Sequence, residues 1–264
     1  MKKKIAVLQM EVALGDPDYN FHHMEELMKE AMKGKPDILV MPETWNTGFY
    51  ISRKLKEIAD ENGERTRLLC SRFAKEHGVY LVAGSTAVKE GDAIYNRAMI
   101  FNRAGECIAT YDKMHGFNPA HESVFFTPGH GTVSFMLDDI SCSMAICYDL
   151  RFPEWIRRQI LEHSVDLFFL PAAWPKIRHF QWDTLIRARA IENQMYFCAV
   201  NQGGGQGKAE YGGHSLLVNP LGETVAQGGD KEEIFYGEFD GALLHKVRER
   251  LDSIADRRPE FDTL

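Results

Sequence analysis

The sequence predicts an α/β fold with helices lying outside its sheets. Three observations carry this. Apolar runs of strand length alternate with segments whose apolar residues recur at helical spacing. Two antiparallel hairpins interrupt the alternation. The two hairpins also share a turn pattern, Asn102-Arg103-Ala104-Gly105-Glu106 and Asn219-Pro220-Leu221-Gly222-Glu223. That echo reads as a pseudo-symmetric pair of sheets or as hairpin turn chemistry alone.

The elements follow in order. Residues 5–10 form an apolar run that reads as a buried strand. A helix is expected over 19–32, where Phe21, Met24, Leu27, Met28 and Ala31 share one face. Residues 37–41 read as a second buried strand, stopped by Pro42. A helix over 64–76 ends at Gly78, and a strand over 79–83 follows. Strands are expected over 94–101, 106–111, 132–137 and 140–146. Then come a helix over 154–162, a strand over 165–170, a helix over 180–194 and a strand over 196–200. The second hairpin covers 215–218 and 223–226, and a last helix runs over 243–254.

Composition narrows the function classes. The 264 residues, 44% of them hydrophobic, suffice for one large core, so a single domain over 1–264 is expected. A net charge of −7 argues against a nucleic-acid partner, and Lys2-Lys3-Lys4 reads as a solvated terminus. No apolar stretch reaches the roughly 18 residues of a membrane span, and no cleavage site follows the lysines. Five cysteines without regular spacing suggest free thiols in a reducing cytoplasm. Gly203-Gly204-Gly205-Gln206-Gly207 reads as a loop, because no strand-to-helix pattern or Lys-Ser/Thr makes it a phosphate cradle.

Four segments carry chemistry. Cys147 ends the apolar run 140–146 and precedes Tyr148-Asp149-Leu150-Arg151-Phe152-Pro153-Glu154. A strand thus delivers a thiol to a sharp turn before a helix. Backbone dipoles and a nearby lysine are expected to lower its pKa. Glu43 follows a buried strand in Met41-Pro42-Glu43-Thr44-Trp45, where poor solvation suits a general base; it also reads as a capping loop glutamate. Lys113, past a strand in Tyr111-Asp112-Lys113-Met114-His115, reads as a surface lysine or as a clamp for a developing oxyanion. Glu122 stands among apolar residues in His121-Glu122-Ser123-Val124-Phe125-Phe126, before Thr127-Pro128-Gly129. No second histidine stands at the spacing a zinc helix needs.

Taken in order, these segments resemble the nitrilase superfamily of carbon–nitrogen hydrolases. The likeness extends through Arg187-Ala188-Arg189-Ala190-Ile191-Glu192-Asn193 to Gly213-His214-Ser215 and Asn219-Pro220, nearly the whole chain. It implies a four-layer α-β-β-α sandwich and a Glu–Lys–Cys triad of Glu43, Lys113 and Cys147, with Glu122 as a second glutamate. It implies no metal or organic cofactor, and a homodimer or higher oligomer using the 154–162 and 243–254 helices. The chemistry implied is amide hydrolysis through a Cys147 thioester, with Lys113 and the Tyr148 N–H at the oxyanion.

Trp45-Asn46-Thr47-Gly48, the Tyr148–Glu154 run and Ala172-Ala173-Trp174-Pro175 before Gln181-Trp182 look most like the omega-amidase branch. That branch removes ammonia from monoamides such as 2-oxoglutaramate. An N-carbamoyl amino acid hydrolase and an aliphatic amidase are alternatives. Gly116 departs from the bulky apolar residue usual in the branch. Trp45, Phe49, Tyr50, Phe117, Phe126 and Trp174 are expected to wall the pocket, with Tyr148 and Arg151 contacting substrate. A non-catalytic binding homologue, and a cysteine hydrolase with His115 or His121 as base, complete the alternatives.

Overall fold

The computed structural model describes residues 1–49, 52–206 and 209–261. The first half runs β1 (Lys2–Gln9), α1 (Pro17–Ala31), β2 (Ile38–Val40), α2 (Leu55–Ile58), β3 (Asp60–Glu61), α3 (Glu64–His77), β4 (Tyr80–Glu90), β5 (Ala93–Phe101) and β6 (Cys107–Asp112). Then come α4 (Glu122–Phe125), β7 (Ser134–Leu137), β8 (Ile140–Met144), α5 (Pro153–His163), β9 (Leu167–Ala172), α6 (His179–Asn193) and β10 (Tyr196–Asn201). The chain closes with β11 (Gly205–Gln206), β12 (Ala209–Glu210), β13 (Leu216–Val218), β14 (Thr224–Gln227), β15 (Glu233–Asp240) and α7 (Gly241–Arg250).

Two sheets result, β15-β1-β2-β4-β5-β6 with β3 on β4, and β14-β13-β10-β9-β8-β7. Along the first, pairing runs antiparallel, parallel, parallel, antiparallel, antiparallel. Read from β7 to β14, the second repeats that sequence. The hairpin echo is therefore part of a pseudo-symmetric pair of sheets, each ending in an edge hairpin. The turn chemistry is shared as well: Asn102 Oδ1 accepts from the N–H groups of residues 104 and 106, and Asn219 Oδ1 from those of 221 and 223.

Alternation along the strands decides the layers. Ile5 and Val7 join Ile38, Val40, Leu167 and Tyr196 in the core between the sheets, where Tyr196 meets Phe239 of the first sheet. Ala6, Leu8, Leu39 and Leu81 face the other way, onto Phe21, Met24 and Met28 of α1 and Phe73 of α3. The outer face of the second sheet meets Ile156 and Ile160 of α5 and Trp182, Ile186 and Ala190 of α6. The architecture is the α-β-β-α sandwich.

Most predicted elements differ from the observed ones by one to three residues. β4 is longer, running through Glu90 because a bulge at Val82/Ser85 lets the ladder resume. β15 has no counterpart in the sequence reading. Its residues are half-exposed edge positions, so their pattern is weak, yet they pair along all of β1. The terminal helix stops at Arg250.

Candidate active site

The C-terminal ends of strands from both sheets meet at one place. Glu43 follows β2, Lys113 follows β6 and Cys147 follows β8. All three are buried, and so is Glu122 at the start of α4.

The Glu43 loop is held by the β4 bulge. Gly84 has φ +57°, and a Cβ there would lie 2.0 Å from the Pro42 carbonyl oxygen. Only glycine lets the two backbones come this close. Ser85 then donates its N–H to Pro42 O at 3.0 Å and accepts from Trp45 N at 3.1 Å. Gly129 does the same for Lys113: a Cβ would lie 2.1 Å from Asp112 O, and the Gly129 N–H donates to Lys113 O at 2.9 Å.

Lys113 is the centre of the polar cluster. Its Nζ donates to Glu43 Oε1 at 2.8 Å and to both Glu122 oxygens at 3.0 and 2.9 Å. Asn96 Nδ2 bridges the same carboxylates, at 2.8 Å to Glu43 and 3.2 Å to Glu122. The Ala173 N–H, from the second sheet, donates to Glu43 Oε2 at 2.7 Å. The Phe117 N–H donates to Glu122 Oε2 at 2.6 Å. Burial opposes the charge on Lys113, but Glu122 and Glu43 outweigh it and hold its pKa well above the ordinary range.

Cys147 sits on the elbow with φ +48°, a left-handed conformation that side chains other than glycine adopt at a cost. It opens a 3₁₀ turn over Cys147–Arg151, whose first N–H groups have no partner within the turn. Buried Asp149 fixes the elbow. Its oxygens accept from Ile146 N at 3.0 Å, Tyr111 Oη at 2.8 Å and His115 N at 2.9 Å. The elbow and the Lys113 segment are thereby tied to one carboxylate.

The expectation of a lowered Cys147 pKa is corrected. Burial pushes the thiol up, Glu43 pushes it further, and the opposing Lys113 and Ala173 N–H do not restore it. The resting group is a neutral thiol beside a carboxylate, so ionisation has to accompany proton transfer.

A cavity of about 160 Å³ opens over Cys147 and Lys113. Phe49, Phe117, Tyr148 and Trp174 line it, together with Arg151 and Arg178. Three of the expected aromatic wall residues are thus present. Trp45 is not: it is fully buried beneath α1, against Phe21, with its Nε1 donating to Ala83 O. Phe126 packs with Leu55, Ala87 and Ile94. Tyr50 lies outside the described residues. His115 Nδ1 lies 2.7 Å from Asp149 and stacks on Phe152, while His121 is exposed, and neither lines the cavity.

Sequence reasoning missed Asn96, Asp149, Arg178 and Tyr211. Asn96 left a signal, since asparagine is depleted in strands and this one sits mid-strand among apolar residues. Asp149 lay within the quoted Cys147 run. Arg178 and Tyr211 come from loops with no pattern of their own. Tyr211 also lines the cavity, and its phenol is raised by burial, Glu43 and Cys147.

Comparison with known proteins gives the family and the fold. Residues 4–249 match the family described as carbon-nitrogen hydrolase. A 2-oxoglutaramate amidase of Bacillus subtilis is 37% identical over 261 residues, covering 99% of this chain and 100% of that one. The fold matches a CN-hydrolase superfamily protein of Xanthomonas campestris with an arsenic adduct in its active site (TM-score 0.91, 26% identity, 98% of each chain). It also matches Nit3 of Saccharomyces cerevisiae, a member of branch 10 of the nitrilase superfamily (TM-score 0.89, 28% identity, 97% of each chain).

Proposed function

The chain belongs to the carbon–nitrogen hydrolase family and is a hydrolase of non-peptide C–N bonds, and from that premise we propose that it is an omega-amidase-like enzyme. Its substrate is a small amide carrying a distal carboxylate, such as 2-oxoglutaramate, and its products are the acid and ammonia. The observation that carries this reading is the buried Lys113 ammonium held between Glu43 and Glu122 beside the Cys147 thiol, under a cavity with arginine in its wall.

Glu43 takes the thiol proton as Cys147 Sγ attacks the amide carbon. The oxyanion is met by Lys113 Nζ and the Tyr148 N–H. Glu43 returns the proton to the departing nitrogen, ammonia leaves and a thioester remains. Water then attacks the thioester as Glu43 accepts its proton, the C–S bond breaks to free the acid, and Glu43 returns the proton to the Cys147 sulfur. Glu122 keeps Lys113 charged and aimed, and Asn96 ties the two carboxylates in place. Arg151, with its guanidinium 4.8 Å from the Trp174 ring centre, holds the distal carboxylate.

The reading also takes residues 1–264 as one hydrolase domain acting in the cytoplasm as a homodimer. No helix among the described residues is long and apolar enough to cross a membrane. Sedimentation at the 30.1 kDa monomer mass would contradict the dimer.

The deciding experiment is Cys147→Ala. Ammonia release is abolished while the circular dichroism spectrum is kept, and mass spectrometry of the unmodified protein with a slow substrate shows an acyl adduct on Cys147. Full activity in the variant, or an adduct on another cysteine, ends the proposal. A panel of monoamides, carbamoyl amino acids, nitriles and esterified monoamides separates the acidic-amide reading from its alternatives.

A further inference from the structure

Arg178 has no role in the chemistry described above, yet it lines the same cavity as Cys147 and Arg151. It ends a 3₁₀ turn over Lys176–Arg178, between β9 and α6. Its guanidinium carbon lies 5.4 Å from the Phe117 ring centre, and that of Arg151 lies 4.8 Å from Trp174 and 6.0 Å from Tyr148. The same rings tie the two arginines together. Phe117 meets Tyr148 edge-on at 5.2 Å, and Trp174 Nε1 donates to the Arg178 carbonyl at 3.0 Å.

What these two arginines lack is a counterion. Arg97, Arg103, Arg187 and Arg189 are paired with carboxylates. Neither Arg151 nor Arg178 has a carboxylate partner among the described residues, and Arg151 Nη2 instead reaches the neutral Gln181 Oε1 at 3.2 Å. Both are half-buried against aromatic and aliphatic walls. An unpaired cation in such a place favours an anion.

We propose that Arg178 is a specificity-determining residue, the second arm of a two-guanidinium clamp that, with Arg151, binds the carboxylate of the amide substrate. This rests on the acidic-amide reading. Two planar forks can grip one carboxylate from two directions, which fixes its distance from the thiol as well as its charge.

The test uses the full-length protein with Arg178→Gln and Arg178→Lys, on 2-oxoglutaramate and on the neutral pentanamide. The readout is the ratio of kcat/KM for the acid to that for the neutral amide. In Arg178→Gln the ratio falls about thirtyfold, carried by KM, the size expected for losing a hydrogen bond between charged groups. In Arg178→Lys, which keeps the charge and loses the fork, it falls by less. An unchanged ratio in either variant, or an equal fall on both substrates, overturns the clamp. Should Arg178→Gln not fold, Arg178→Lys gives the same readout. If the unmodified protein itself prefers the neutral amide, the acidic-amide reading fails. If it prefers the acid and the variants keep that preference, only the clamp fails.

Discussion

Replacing Glu43 with glutamine separates its work as a base from its work as a buried partner. The carboxylate accepts three hydrogen bonds, from Asn96 and Lys113 on one oxygen and from the Ala173 N–H on the other. Glutamine keeps one acceptor and turns an amide N–H₂ toward at least one of those donors. One unsatisfied buried donor costs about 1–3 kcal/mol. Lys113 stays paired, because Glu122 holds it through both oxygens, so the fold survives with a lower Tm. The rate suffers more. With the thiol neutral at rest, removing the base costs about 10²–10⁴-fold in kcat/KM. The pH dependence carries a sign. Glu43 raises the Cys147 pKa and Lys113 lowers it, so the thiol of Glu43→Gln ionises at lower pH than in the unmodified protein. Its residual rate therefore climbs with pH as the proton is lost to solvent. Ammonia release across the neutral range, with calorimetry on the same samples, measures both effects. A variant within tenfold of the parent would refute the reasoning. So would an equal loss in His115→Ala or His121→Ala, which would move the base to a histidine.

Other perturbations test other parts of the site. Lys113→Met leaves Glu43 and Glu122 buried with no cation, and breaking such a pair costs about 3–5 kcal/mol; chemical denaturation should show it, along with loss of activity. Gly84→Ala puts a Cβ on the Pro42 carbonyl and forces a left-handed alanine. The expected result is about 3 kcal/mol of destabilisation and a displaced Glu43, read by calorimetry and ammonia release. Asp138, on the β7–β8 turn, reaches Lys3, Tyr80 and Arg103 of the other sheet. Burial raises its pKa, but those three partners outweigh it and bring it from 3.8 to about 2. A depressed folded pKa gives stability that is present above about pH 4 and lost as the pH falls toward 2. Asp138→Asn should flatten that part of the acid unfolding curve, and an unchanged curve would show the contacts to be idle.

Local pattern was enough for most elements and for two of the four candidate catalytic residues, Glu43 and Cys147. The strands β2, β9 and β10 are fully buried and almost wholly apolar, and β8 is buried except at Ser141. Glu43 and Cys147 stand three residues beyond the ends of β2 and β8, so both were legible as interruptions of a core pattern. Lys113 and Glu122 needed the family resemblance, because a lysine after a strand and a glutamate among aromatics have ordinary explanations. β15 was illegible, since a half-exposed edge strand owes its place to β1 rather than to its own alternation.

Residue order along the chain thus determined which groups stand at strand ends, and the apolar pattern determined that helices would lie outside the sheets. Only the tertiary structure decided the state of those groups. Asn96 joins two carboxylates that stand far apart in sequence, and the Ala173 N–H reaches Glu43 from the opposite sheet. The thiol, placed by sequence logic beside a lysine, is held neutral because burial and Glu43 outweigh Lys113. Electrostatic balance depends on distances and on the exclusion of water, and neither is set until distant segments pack together.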